Sequence, residues 1–80
     1  MTRHKVLQAL RALWPGYRVW AEVGKGGFFC DRNGVKRCRC FRKGCQTPGE
    51  SVYSVGTETW CRAVMGTGHS WEEAIAEASR

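Results

Sequence analysis

From Val35 to Arg42 the chain reads Val-Lys-Arg-Cys-Arg-Cys-Phe-Arg. If this stretch is extended, neighbouring side chains point to opposite sides. Cys38 and Cys40 then share a face with Lys36 and Arg42, and Val35, Arg37, Arg39 and Phe41 share the other. A chain of 80 residues buries only about 60% of the surface its unfolded form exposes, so its core is thin. Two arginines in such a core are costly, whereas cysteine is among the residues most often buried. The expectation is that the cysteines face inward and the arginines outward.

The rest of the chain supplies the elements around this strand. Val6, Leu7, Leu10, Leu13 and Trp14 form one stripe at helical spacing, which predicts a helix over 3–14 with Thr2 as N-cap, ended by Pro15-Gly16. Residues 17–23 alternate and read as a strand. Phe28 to Asp31 reads as a second, joined by an Asn33-Gly34 type I′ turn to a third over Val35–Arg42. Gly44 to Thr57 reads mainly as loop, with a short strand within it at Ser51–Val55. Glu58 to Met65 is the last strand, closed by Gly66-Thr67-Gly68. Ser70 and Glu73 form a capping box for a final helix whose apolar stripe is Trp71, Ala74, Ile75 and Ala78. The fold class is therefore α+β: one domain over 1–80, a two-layer sandwich in the order α-β-β-β-(β)-α. Its antiparallel sheet has three or four strands, with both helices on one face.

Carrying the alternation across the sheet gives an apolar inner set: Val19, Ala21, Val23, Phe28, Cys30, Cys38, Cys40, Cys61, Ala63 and Met65. The outer set interleaves Trp20, Phe29, Phe41 and Trp60 with Arg18, Arg37, Arg39 and Arg62. Soluble monomers seldom leave such a face bare. Three readings stay open: a protein-binding surface, a nucleic-acid platform, or a face covered by residues 44–57.

Charge is uneven. Residues 1–43 hold eleven Lys/Arg against Glu22 and Asp31, while residues 44–80 hold two Arg against five Glu, within a net charge of +6. Arg32, Lys36, Arg37, Arg39, Arg42 and Lys43 form the densest cluster and predict a contact surface for an anionic partner, with Trp20, Phe41 and Trp60 as anchors. The expected partner is an acidic protein surface or a nucleoprotein complex, with nucleic acid as the alternative. No membrane contact and no small-molecule substrate are expected. The basic N-terminus has no apolar run after it, so a cytoplasmic protein is expected.

The cysteines are Cys30, Cys38, Cys40, Cys45 and Cys61. An odd count without a leader argues against a disulfide framework. Cys38-x-Cys40-x4-Cys45, with Cys30, Cys61 and His69 available, has the ligand types for zinc but lacks the paired C-x2-C spacing. The reading favours reduced, buried thiols at Cys30, Cys38, Cys40 and Cys61, with Cys45 the most exposed, and no metal or cofactor. A zinc-binding minidomain is kept as an alternative. Cys61 with His69 as nucleophile and base has no spacing to support it, and Gly24-Lys25-Gly26-Gly27 reads as a turn, not a phosphate loop. No catalytic residues are assigned, and a non-enzyme is expected.

The helix–strands–helix order resembles the double-stranded-RNA-binding domain. That family binds through basic residues at the start of its last helix, where this chain has the acidic stretch His69-Ser70-Trp71-Glu72-Glu73. The last twenty or so residues resemble small phage and prophage accessory proteins. The resemblance is carried by the strand Trp60-Cys61-Arg62-Ala63-Val64, the turn Gly66-Thr67-Gly68 and the helix Ser70-Trp71-Glu72-Glu73-Ala74-Ile75. It implies a counter-defence role of the anti-CRISPR kind, in which a small protein inhibits by occupying a surface of a host protein or nucleoprotein complex. The alternative is a small nucleic-acid-binding regulator.

Overall fold

The computed structural model describes residues 1–42 and 45–80. Helix α1 (Arg3–Leu13) leads into strand β1 (Arg18–Gly24), followed by the short strands β2 (Phe28–Cys30) and β3 (Lys36–Cys38). Strands β4 (Val52–Glu58) and β5 (Arg62–Gly68) and helix α2 (Trp71–Ala78) complete the chain. The α+β class holds, with an antiparallel three-stranded sheet in the order β1-β4-β5 and a separate antiparallel pair β2-β3. Among the described residues no helix is long and apolar enough to cross a membrane.

The helix ends follow from local chemistry. Thr2 Oγ1 accepts from the Lys5 N–H at 3.3 Å, and Ser70 Oγ accepts from the Glu73 N–H at 3.1 Å. Each satisfies a donor that a helix start leaves unpaired. Glu72 and Glu73 lie at the positive end of α2, where negative charge is favoured.

Both helices pack on one face of the sheet. Val6 and Leu10 from α1 and Ala74 from α2 close over Ala21 and Val55, which are cross-strand partners. Leu7, Trp14, Tyr53, Trp71 and Ile75 rim this core, and the Tyr53 and Trp71 rings meet edge to face at 4.8 Å. Leu10 is fully buried. Leu10→Ala is expected to cost about 2–3 kcal/mol, read as a lowered urea midpoint with an unchanged slope. A midpoint equal to wild type would mean that α1 does not belong to the cooperative core.

Helix α2 reaches the strand backbone because β5 carries glycine beneath it. A Cβ on Gly66 would strike the Ala74 carbonyl oxygen and come within 2.7 Å of the Ala78 nitrogen. One on Gly68 would lie 2.5 Å from Glu73 Cβ. Gly66-Thr67-Gly68 is thus the end of β5, not a turn after it. On the other face a Cβ on Gly56 would lie 2.7 Å from the Trp20 ring. Trp20 spans that glycine and donates its indole N–H to the Thr57 carbonyl at 3.1 Å.

Several strand expectations are corrected. The segment read as mostly loop contains the central strand: β4 pairs with β1 on one side and β5 on the other. The last strand begins at Arg62, and residues 59–61 form the turn. Strand β3 stops at Cys38 and does not run to Arg42. The β2–β3 turn has positive φ at Gly34 (78°) and not at Asn33. Gly34 N–H donates to the Asp31 carbonyl, and Asp31 Oδ1 accepts from the Asn33 and Val35 N–H groups. This is a type I turn with a glycine bulge, the three-residue alternative to type I′.

The inner set also changes. Val19 and Ala21 keep their place, but Val23, Phe28 and Met65 are exposed, as are Cys30 and Cys61. Phe28 and Cys30 are exposed because β2 and β3 leave the sheet as a separate hairpin; Cys61 lies in the β4–β5 turn, Met65 is the extra residue where the β4–β5 register shifts, and Val23 lies near the end of β1. Gly24 and Val52 are cross-strand neighbours, so residues 25–51 leave the sheet and return to it at one point.

Candidate metal centre

The excursion is held against the sheet where β4 begins and β5 ends. Thr67 Oγ1 donates to the Cys40 carbonyl at 2.6 Å, and Arg42 pairs with Glu73 at 2.7 Å. At its base, Gly26 packs so tightly on the Gly49-Glu50 backbone that no side chain fits.

Beyond Cys38 the chain turns sharply. Phe41 N–H donates to the Cys38 carbonyl at 3.2 Å, and Phe41 takes φ 59°, the left-handed region that only glycine adopts freely. That conformation aims the Arg42 N–H at Cys40 Sγ, at 3.5 Å. The C-x-C pair therefore sits on a turn, and the turn brings both sulfurs together at the end of the sheet. The inference that they face the helices is overturned for this reason. Cys40 is fully buried, and Cys38 and Cys45 are half-buried, so Cys45 is less exposed than expected.

His69 completes the group from the other direction. It lies between Gly68, which ends β5, and Ser70, which caps α2, so its backbone is held on both sides. Its Nδ1 lies 3.0 Å from the Ser51 carbonyl oxygen. A carbonyl only accepts, so Nδ1 carries the proton and Nε2 presents its lone pair. Nε2 lies 3.0 Å from Cys45 Sγ and 3.5 Å from Cys38 Sγ. A ring N–H given to a backbone carbonyl is the usual arrangement behind a metal-bound histidine.

The three sulfurs and this nitrogen all lie within 4.8 Å of one another. A tetrahedral zinc site, with Zn–S of about 2.3 Å and Zn–N of about 2.0 Å, has edges of about 3.5–3.8 Å. Side-chain torsions alone cover the difference. The electrostatics fit as well. Burial pushes the Cys38 thiol up, but the Cys40 and Gly49 N–H groups and the neighbouring thiols bring it down to about 6. Burial drives Cys40 up; the Arg42 N–H opposes this, but the adjoining Cys38 and Cys45 leave it at about 11. Three close sulfurs cannot all ionise unaided, and a divalent cation removes that conflict.

The basic and aromatic residues singled out in the sequence fall into two groups. Arg32, Lys36, Arg37, Arg39, Phe41 and Arg42 lie on the hairpin or the turn after it, and Lys43 is outside the described residues. Arg37 pairs with Asp31 at 2.6 Å, Arg42 with Glu73, and Lys36 sits 4.6 Å above the Phe28 ring. Phe41 is 77% exposed and meets Phe29 at 5.0 Å. Trp20 and Trp60 lie toward the other end of the sheet. Trp20 is half-buried under Arg62, whose guanidinium is 3.9 Å from the ring and pairs with Glu22. Trp60 is 97% exposed in the β4–β5 turn.

The sequence signal for the metal centre was present but divided. The C-x-C-x4-C spacing differs from a paired knuckle, and His69 lies 24 residues beyond Cys45. No protein-family model matches the chain, and no curated protein or solved structure is similar to it above the level of chance.

Proposed function

We propose that the chain is a zinc-binding minidomain in which Cys38, Cys40, Cys45 and His69 hold one structural Zn2+. The observation that carries this reading is the convergence of three thiols on a histidine whose other nitrogen is already committed to Ser51 O. Four protein ligands fill a tetrahedral zinc and leave no position for water or substrate. The domain is accordingly a non-enzymatic binding module. The metal fastens the excursion of residues 25–51, which supplies Cys38 from the end of the β2–β3 hairpin and Cys40 and Cys45 from the segment after it, to the sheet and helix layer, which supplies His69.

The reading is tested by cobalt substitution of chain purified under reducing conditions. The expected result is one metal per chain, with the visible absorption of tetrahedral, thiolate-bound Co2+. Substituting Cys38, Cys40, Cys45 or His69 should weaken binding by at least about tenfold. Cys30→Ser and Cys61→Ser should bind as wild type does, because both thiols are exposed and outside the cluster. Equal loss from all five cysteine variants, or octahedral cobalt spectra, would defeat the assignment.

A further inference from the structure

We infer that the metal-held hairpin and the turn after it form a contact surface for single-stranded nucleic acid, with Phe41 as a stacking platform. This rests on the zinc reading, which supplies the rigidity of the surface.

The first observation is where the charge lies. Residues 25–43 hold seven Lys/Arg against one acid, Asp31, and the remaining six Lys/Arg are matched by six Glu. The whole net charge of +6 therefore belongs to this one segment. Arg32, Lys36 and Arg39 form no ion pair among the described residues. A concentrated positive surface of this kind suits a phosphate backbone.

The second observation is Phe41. An aromatic side chain occupies a left-handed position where glycine or asparagine would relieve the backbone, and it is left largely in solvent. Neither backbone nor core favours phenylalanine there. Phe41 and Arg39 form one side of an open groove of about 400 Å3. Val64 and Met65 contribute apolar surface to it, Ser54 and Thr67 contribute hydroxyl oxygens, and Glu77, which also lines it, has its carboxylate paired with Arg42 and Arg80. A ring beside an arginine, over an apolar groove with hydroxyls in reach, matches the needs of an unpaired base and its phosphate. Bases in a duplex are already stacked and could not use Phe41. An acidic protein surface would use the same cations, and competition by poly-glutamate separates it from a nucleic acid.

The test is fluorescence anisotropy with labelled thymidine and uridine homo-oligomers, a duplex of equal length and poly-glutamate as competitor. Metal content is measured on the same samples. The expected result is that zinc-loaded protein binds the single strands with affinity that falls steeply with salt. Phe41→Asn should bind at least about tenfold more weakly, the loss of roughly one stacked base, while keeping its metal and its melting temperature. Arg39→Glu should also weaken binding and flatten the salt dependence. The proposal falls if zinc-loaded protein ignores the single strands, prefers the duplex, or releases oligomer to poly-glutamate at equal charge. It also falls if both variants bind as wild type does. A sample that binds oligomer without holding metal would instead sink the zinc reading and leave the surface standing.

Discussion

Stripping the metal is expected to lower the melting temperature by more than about 10 °C and to collapse the amide chemical-shift dispersion of residues 26–51. Structural zinc in small finger domains contributes on the order of 10 kcal/mol at neutral pH. In a chain of this length each kcal/mol moves the midpoint by about 4–8 °C, so even a modest share of that figure gives the stated drop. The effect should be uneven. Val6, Leu10, Ala21, Val55 and Ala74 form a core that needs no metal. Strands β2 and β3 pair over three residues each and contribute nothing to the fully buried set; Cys40, in the turn after them, is the buried residue of the excursion among those described. A hairpin of that length is not stable alone. Chelation followed by heteronuclear NMR and a thermal melt is the check, and re-addition of one equivalent of Zn2+ should restore both. A metal-free sample with the same midpoint and spectrum would show that side-chain packing alone holds the excursion.

Gly66→Ala is expected to cost more than about 3 kcal/mol, beyond the usual range for overpacking. The added carbon would meet backbone atoms of α2, the Ala74 carbonyl oxygen and the Ala78 nitrogen. A rotamer change cannot relieve a clash with backbone. The helix must lift, and it carries Ala74 out of the core and draws His69 at its head away from the three sulfurs. Two readouts should therefore move together: the thermal midpoint by more than about 10 °C, and zinc affinity in a chelator competition. A variant with the midpoint of wild type would contradict the close approach of α2 to β5.

The legible parts of the fold were those set by local pattern. The α1 stripe, the Thr2 and Ser70 caps and the inward Ala21 followed from periodicity and capping, and both helices fell on the expected face. Strand β4 was obscured by its composition. Val52-Tyr53-Ser54-Val55-Gly56-Thr57 carries a glycine and two small hydroxyl residues, which usually mark a loop. Gly56 is there because Trp20 crosses it, a long-range reason that no local window contains. The Cys38–Cys40–Cys45–His69 cluster was kept only as an alternative to buried thiols through one assumption, that Val35–Arg42 stays extended. In an extended strand Cys38 and Cys40 point into the sandwich. The turn closed by the Phe41 N–H on the Cys38 carbonyl breaks that alternation at Arg39-Cys40, and neither residue type announces a turn. His69 could have been weighed more heavily: a histidine fixed between a strand end and a helix cap is a better-positioned ligand than one in a loop.

The adjacency of Gly24 and Val52 makes the molecule a plug-in design. The scaffold of α1, β1, β4, β5 and α2 closes on itself around a single opening, and everything between residues 25 and 51 is inserted through it. Among the described residues, the side-chain hydrogen bonds and ion pairs between insert and scaffold fall on His69, Thr67, Glu73 and Glu77. The insert can therefore vary in length, charge or sequence under different selection from the scaffold, provided that its three thiols still meet one imidazole. A chain with this layout can change the charged segment it presents without redesigning the core formed by Val6, Leu10, Ala21, Val55 and Ala74.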